Sequence, residues 1–206
     1  MRENLTDWQQ KTVQRDLDDF FAGRRKFSAL WDDTGTGKTL IYGTLADVIS
    51  RHLVSKNNQP STTWLFSTKS ALFTQVQKLK QVDTRVSDEP ISMPNEFIVL
   101  DGSREDCQGL LQAVPCLHPA YVVANYDKVK MFPEIVEMVG PNDIVILDEA
   151  DLNANRNSQI GKLQLALSIR GAYTIVSTAS PMRNKIDSLF PVILACDGEN
   201  IELREV

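Results

Sequence analysis

The sequence predicts an α/β fold in which an open, mostly parallel β-sheet carries helices on both faces. Short apolar runs rich in β-branched and aromatic residues alternate along the chain with longer segments of helical periodicity. Several of the short runs have almost no polar alternation, which is typical of strands buried on both faces. An alternation of β and α elements favours right-handed crossovers between parallel strands, and so predicts this kind of sheet.

Six short runs are predicted to be strands because each combines high β propensity with polar or turn-forming residues at its ends. These runs are residues 27–31, 63–66, 97–100, 121–123, 144–147 and 173–176.

Four longer segments have apolar residues at helical spacing and are predicted to be helices. They are residues 8–21, 38–53, 70–79 and 159–169. Pro133 interrupts the stretch 126–139, where we expect a helix to start or to kink. The polar, proline-containing stretches 54–62 and 83–95 are predicted to be surface loops.

Length and composition predict one globular domain over residues 1–206, since no linker divides the chain. The net charge of −5 argues against a protein that coats nucleic acid, although a local basic groove remains compatible with it.

The three cysteines lack metal-ligand spacing and are expected to be reduced thiols. With neither a secretory leader nor a long apolar run, we expect no membrane partner and an intracellular location, nuclear in a eukaryote and cytoplasmic otherwise.

A glycine-rich turn joins the first predicted strand to the helix that starts at Lys38. Glycines in such a turn let successive backbone N–H groups point at phosphate oxygens, and the new helix adds its positive end there. Lys38 would reach the β- and γ-phosphates, and the Thr39 hydroxyl would bind Mg²⁺. The strict phosphate-loop motif has glycine where this chain has Asp32. The predicted nucleotide contacts are Thr34, Gly35, Thr36, Gly37, Lys38 and Thr39.

Two adjacent carboxylates follow the apolar run 144–147, at the strand end where open α/β sheets bind ligands. We expect Asp148 to hold Mg²⁺ through water and Glu149 to orient and polarise the attacking water. Lys38, Asp148 and Glu149 are therefore the predicted catalytic residues, with Thr39 and Asp148 as metal ligands. The predicted cofactors are ATP and Mg²⁺.

These segments together resemble the first RecA-like lobe of a superfamily-2 helicase or translocase, and most of all the Swi/Snf-type chromatin-remodelling ATPases. The resemblance implies a RecA-like P-loop NTPase domain that forms half of a DNA-dependent motor. It also implies a second RecA-like lobe, in cis or in trans, that supplies catalytic arginines and is absent from these 206 residues. Asp151 departs from the Asp-Glu-Ala-His of the remodellers and resembles the DEAD-box RNA helicases.

Residues 5–9 resemble the family's upstream motif, in which a glutamine after an aromatic residue reads adenine. The resemblance implies that Gln9 contacts the adenine base, since an amide can both donate and accept. Alternatively, Trp8 and Gln9 only begin a helix.

Three further segments carry the resemblance. Thr68, Lys69 and Ser70, with Gln75 after them, resemble the segment that contacts the nucleic-acid backbone, although a plain helix N-cap fits them almost as well. Asn125 resembles a further nucleic-acid motif, and Tyr126 beside it is equally compatible with the core. Thr178 and Ser180, followed by Pro181, resemble the segment that couples the nucleotide site to the nucleic-acid site.

The function that the resemblance implies is ATP-driven translocation on, or remodelling of, double-stranded DNA, with strand separation as a second option and DNA favoured over RNA. An RNA helicase lobe is one alternative. A stand-alone regulatory module without turnover is another, although the four polar residues Lys38, Thr39, Asp148 and Glu149 argue against lost hydrolysis. A small nucleotide kinase would need acceptor-binding arginines and a lid, for which the sequence gives no candidate.

Substitution Lys38→Ala is predicted to abolish nucleotide binding, because it removes the cation that faces the β- and γ-phosphates. Titration calorimetry with Mg·ATP measures the change. Binding equal to that of the parent chain would show that the phosphate-loop assignment is wrong.

Overall fold

The computed structural model describes residues 5–33, 35–81, 96–116, 120–150 and 158–179, and its six strands form one sheet in which all neighbouring strands are parallel. The open parallel sheet predicted from the sequence is therefore confirmed. In chain order the strands are β1 (Phe27–Leu30), β2 (Thr62–Ser67), β3 (Glu96–Leu100), β4 (Ala120–Asn125), β5 (Ile144–Asp148) and β6 (Tyr173–Ser177). Across the sheet their order is β1-β6-β5-β2-β4-β3.

The described residues also form seven helices, of which the first precedes β1 and the others connect strands, together with one 3₁₀ turn at Val114–Cys116. They are α1 (Asp7–Phe21), α2 (Lys38–Asn57), α3 (Leu72–Gln81), α4 (Arg104–Ala113), α5 (Tyr126–Met131), α6 (Glu134–Met138) and α7 (Gln159–Arg170). No helix in this described part of the chain is both long enough and apolar enough to cross a bilayer.

The helices cover both faces of the sheet, as predicted. On one face α1, α2 and α3 pack residues such as Leu17, Ile49 and Val76 into one apolar cluster. On the other face α4 to α7 contribute to a second cluster, which includes Leu111 and Leu167. Alternate residues of each central strand enter opposite clusters, which explains why these strands read as continuous apolar runs.

One expectation about the connecting segments differs from the structure. The predicted loop 54–62 is wrong in its first half, because α2 continues to Asn57 and its last turn is exposed to solvent. The helix ends where Asn58 adopts a left-handed conformation with φ 49°. The second loop, 83–95, lies outside the described residues. Pro133 marks a helix start, as predicted: α5 ends at Met131 and α6 begins after the proline.

Helix α4 has no counterpart in the sequence prediction. It buries only Cys107 and Leu111 of its ten residues, so its apolar stripe is short. Its start is fixed instead by a capping box, in which Ser103 accepts from the backbone N–H of Asp106 and the Asp106 carboxylate accepts from Ser103. The capping residues, with Cys107 and Leu111 four positions apart, were the local signals for this helix.

A buried carboxylate at the amino end of the sheet ties β2 to the start of β5. Asp143 accepts hydrogen bonds from the backbone N–H of Thr62 at 2.8 Å, the indole Nε1 of Trp64 at 3.1 Å and the N–H of Gly140 at 2.9 Å. These bonds help to fix the register in which Thr63 pairs with Ile144 and Phe66 with Leu147. The same register places Ser67 beside Asp148 at the opposite, carboxyl end.

Substitution Asp143→Ala is expected to lower the free energy of unfolding by about 3 kcal/mol, because it leaves buried donors on two segments without an acceptor. Urea denaturation measures the change. The matched control is Asp127→Ala, since the Asp127 side chain is 81% exposed and its loss should cost no more than about 0.5 kcal/mol. Equal losses in the two variants would contradict the register role of Asp143.

Candidate functional site

The glycine-rich turn has the backbone geometry of an anion-binding loop. Gly35 and Gly37 have φ values of 82° and 81°, in the left-handed region that strains residues with a Cβ. A Cβ at Gly37 would lie 2.5 Å from Nε2 of Gln9, so the second glycine also provides room for a neighbouring side chain. Gly37 precedes the first residue of α2, which directs the helix N-terminus into the loop. Thr34 lies outside the described residues.

Gln9 is buried against this loop. Its Oε1 accepts the backbone N–H of Thr6 at 2.8 Å, which forms the capping box of α1, and its Nε2 donates to the carbonyl of Thr36 at 2.8 Å. Gln9 therefore does begin a helix, and it also ties that helix to the phosphate loop. The amide keeps one N–H and one oxygen lone pair for a further partner. Its contact with adenine stays a prediction.

Lys38 lies within the loop and close to the acidic strand. Its Nζ donates to the carbonyl of Asp32 at 2.6 Å and to that of Asp33 at 2.9 Å. Position 32 contacts Lys38 through its backbone carbonyl and not through its side chain. Aspartate can therefore make this contact in place of the motif's glycine. The ammonium is also near enough to Asp148 for its charge to favour the ionised carboxylate.

Asp148 ends β5 and is buried, and side chains on three neighbouring elements donate hydrogen bonds to it. The hydroxyl of Ser67 donates to its Oδ2 at 3.2 Å, and Nε2 of Gln75 donates to the same oxygen. The phenol of Tyr126 donates to the backbone carbonyl of Asp148 at 2.8 Å. Ser177 pairs with Asp148 across the β5–β6 register.

Burial dominates the electrostatics of this carboxyl group. Desolvation raises the pKa of Asp148, while the hydroxyls of Ser177 and Ser67, and then the positive charge of Lys38, act in the opposite direction. The group is thus an anion that costs free energy to bury and that a cation would stabilise.

Glu149 has an unusual backbone conformation. Its φ of 51° lies in the left-handed region, where a residue with a Cβ is strained by about 1 kcal/mol. The side chain is half-buried at the carboxyl end of β5. A strained residue beside a buried carboxylate, at the sheet edge where ligands of α/β folds bind, is a typical feature of an active site.

The donor set fits a hydrated Mg²⁺ ion. The described residues contain no cluster of three or more His, Cys, Asp or Glu side chains that could hold a metal. Mg²⁺ does not need such a cage, because it keeps several waters and is bound by one or two carboxylates together with substrate phosphates. Asp148 supplies the carboxylate, and the amide oxygen Oε1 of the neighbouring Gln75 is buried without a hydrogen-bond partner among the described residues.

Tyr42 connects the Mg²⁺-binding candidates on the two elements. It lies on α2 just after Thr39 and is fully buried. Burial raises the pKa of its phenol well above the ordinary value, and the negative charge of Asp148 raises it further, while the Thr39 hydroxyl lowers it. The Tyr42 phenol is therefore close to both Thr39 and Asp148, the two predicted metal ligands, although its oxygen has no geometric hydrogen-bond partner among the described residues.

Those predicted nucleic-acid and coupling residues that the structure describes lie at the same edge of the sheet but differ in exposure. Lys69 and Ser70 are exposed and Thr68 is half-buried, in the turn between β2 and α3. Asn125 is buried, and its Oδ1 accepts the N–H of Lys128 as the N-cap of α5. The N–H of Thr178, also buried, donates to the carbonyl of Leu30 at 3.1 Å. Their contacts with nucleic acid, and the coupling role of Thr178, stay predictions.

Several residues of the site were not assigned to it from the sequence. Ser67 and Tyr42 were given no role, and Ser177 belonged only to the segment that resembles the coupling motif. Gln75 and Tyr126 were associated with nucleic acid or with the core, yet four of the five donate to Asp148 or lower its pKa. The available signal was position: Ser67 and Ser177 are polar residues at the carboxyl ends of buried strands. Ser180 and Asp151 lie outside the described residues.

Comparison with known proteins supports the fold. Neither a protein-family model nor a curated protein matches the chain in sequence. The Sulfolobus solfataricus SWI2/SNF2 ATPase core in complex with double-stranded DNA is similar in structure, with a TM-score of 0.68 and 20% identity over 95% of this chain and 36% of that one.

A second similar structure is a nuclease-deletion mutant of the Type ISP restriction-modification enzyme LlaGI in complex with a DNA substrate mimic. Its TM-score is 0.63 and its identity 17%, over 87% of this chain and 18% of that one. These likenesses confirm the predicted RecA-like α/β fold. The chain spans 36% and 18% of the lengths of the two proteins that it resembles.

Substitution Glu149→Gly is expected to raise the free energy of unfolding by about 1 kcal/mol, because glycine accepts a positive φ without strain. Thermal denaturation followed by circular dichroism measures the gain. Glu149→Ala is the matched control, since it removes the carboxylate but keeps the Cβ. An equal gain in both variants would show that charge, and not backbone strain, is the cause.

Proposed function

We propose that this chain is the ATP- and Mg²⁺-binding lobe of a nucleic-acid-dependent ATPase motor that hydrolyses ATP to move on or remodel DNA. The observation that carries the proposal is the convergence of the phosphate loop and the acidic strand end. Burial raises the pKa of Asp148, and the charge of Lys38, from an element far away in the chain, acts against it. Such a lysine and carboxylate are the parts that hold a triphosphate and its metal.

The loop would hold the nucleotide through its N–H groups at 35–39 and through Lys38, once its ammonium exchanges the carbonyls of Asp32 and Asp33 for phosphate oxygens. Thr39 and Asp148 would hold Mg²⁺, which neutralises charge on the β- and γ-phosphates when bound. Glu149 would accept a proton from, and orient, the attacking water. Gln9 would hold the adenine base next to the loop that it already contacts.

Duplex DNA is the proposed partner. The two similar structures named above are both complexes with DNA or a DNA mimic, and this chain has the fold that they share. The exposed Lys69 and Ser70 lie at the carboxyl end of the sheet beside the candidate site. Hydroxyl and ammonium groups there suit a phosphate backbone and carry no base specificity. With a net charge of −5, binding should depend on such local contacts and not on the overall charge.

A second RecA-like lobe, in cis or in trans, would complete the active site with arginine side chains. Loss of an arginine finger costs about 10³–10⁵ in rate in related phosphoryl-transfer systems. We therefore expect the 206-residue chain alone to bind Mg·ATP weakly and to hydrolyse it very slowly. Closure of two lobes around ATP would convert hydrolysis into a step along the backbone.

The deciding experiment measures ATP hydrolysis by this chain, and by any longer natural form of it, with duplex DNA, single-stranded DNA, RNA and no nucleic acid. Stimulation by duplex DNA supports the translocase, and stimulation by RNA alone would support an RNA helicase instead. Binding of Mg·ATP without turnover in every case would support a regulatory module. Phosphate transfer to an added nucleotide acceptor would support a kinase.

Substitution Glu149→Gln is expected to lower hydrolysis by about 10²–10⁴-fold, because the amide cannot accept the proton of the attacking water. Affinity for Mg·ATP should stay within a factor of about 3, since Glu149 is not assigned to the phosphates or the metal. Single-turnover hydrolysis and calorimetry separate the two effects. Glu137→Gln, an exposed site on α6, should change neither, and an unchanged rate in Glu149→Gln would remove Glu149 from catalysis.

A further inference from the structure

The Asp148 carboxylate is hydrogen-bonded to both ends of one surface segment, residues 67–75. Ser67 ends β2 directly before the exposed turn at 68–70, and Gln75 lies on α3 directly after it. Nε2 of Gln75 donates both to Oγ of Ser67, at 3.0 Å, and to Oδ2 of Asp148. Ser67 donates to that same Oδ2. A closed triangle of hydrogen bonds therefore links the turn to the carboxylate.

Gln75 is joined to the turn by its backbone as well. Its N–H donates to the carbonyl of Ala71 at 2.9 Å, and the N–H of Ala71 donates to the carbonyl of Thr68 at 3.1 Å. Two backbone hydrogen bonds therefore connect the turn to the residue whose amide holds Oδ2. Leu72, Val76 and Leu79 pack α3 into the apolar core, so Gln75 is held on a fixed helix face beside Asp148.

The Gln75 amide has features that a purely structural role leaves unexplained. The side chain is 6% exposed, and its Oε1 has no hydrogen-bond partner among the described residues. A buried amide oxygen left without a donor costs free energy, about 1–3 kcal/mol. Next to a carboxylate that would hold a hydrated cation, this oxygen is an acceptor available to a metal-bound water.

We propose that Gln75 is a positioning residue that couples contacts of the 68–70 turn with a nucleic-acid backbone to the metal affinity of Asp148. The inference rests on the proposed function. It adds the route by which DNA binding changes the affinity for Mg·nucleotide. Coupling of this kind is reciprocal, so DNA and Mg·nucleotide must change each other's affinity by the same factor.

The test measures the dissociation constant of a non-hydrolysable ATP analogue with Mg²⁺, by calorimetry, with and without a saturating short DNA duplex. The ratio of the two constants is the coupling factor, expected to be about 5-fold or more in the unaltered chain. In Gln75→Met, which fills the same space without an amide, the ratio should fall to within about twofold of 1. The affinity for each ligand alone is measured in the same variant, so that a loss of coupling is separated from a loss of binding.

Gln77→Leu is the matched control, because Gln77 lies on the same helix and is exposed. It should keep the coupling factor of the unaltered chain. Should Gln75→Met fail to fold, Ser67→Ala carries the test: it removes a second donor to Oδ2 and should also lower the factor. A reduced ratio that appears only together with a proportional loss of both separate affinities would indicate a structural role and would overturn the inference.

The result also separates this inference from the proposed function. An unchanged coupling factor in both Gln75→Met and Ser67→Ala, with nucleotide and DNA still bound, overturns the coupling route and leaves the proposed function standing. An unaltered chain that binds neither Mg·nucleotide nor DNA overturns both.

Discussion

The buried carboxylate of Asp148 must be stabilised by the groups that surround it. An anion placed among apolar strands is costly unless donors and cations surround it. The hydroxyl of Ser67 on β2 and the amide of Gln75 on α3 donate hydrogen bonds to it. The hydroxyl of Ser177 on β6 and the ammonium of the glycine-rich loop act to lower its pKa. Burial still raises its pKa, so the carboxylate is left incompletely compensated, as expected of a group whose remaining partner would be a cation.

The all-parallel sheet makes this arrangement possible. Because every strand points the same way, the turn after β1, the turn after β2 and the acidic end of β5 all emerge at one edge. The strand order brings β2 and β6 to either side of β5, which is why Ser67 and Ser177 flank Asp148. The same order places the exposed 68–70 turn next to the candidate nucleotide site, so that one carboxylate adjoins both surfaces.

The strands and the backbone conformation of the glycine-rich turn were predictable because they depend on local sequence. Buried parallel strands must be continuously apolar, and a loop that turns at two positive φ angles must contain glycine at those points. Helix α4 was not predictable in this way, since it buries two side chains and depends on its cap. The extent of α2 was also missed, because its last turn is solvent-exposed and only the conformation of Asn58 ends it.

The sequence by itself determined the class of fold, the loop with Lys38, and the acidic pair at a strand end, since each follows from residue types at short spacing. Only the tertiary structure decided which polar side chains meet at Asp148. Gln75 and Tyr126 are ordinary helix residues in the sequence, and their partner is far away along the chain. Strand order and register bring them together, and these depend on how two apolar clusters pack on opposite faces of one sheet.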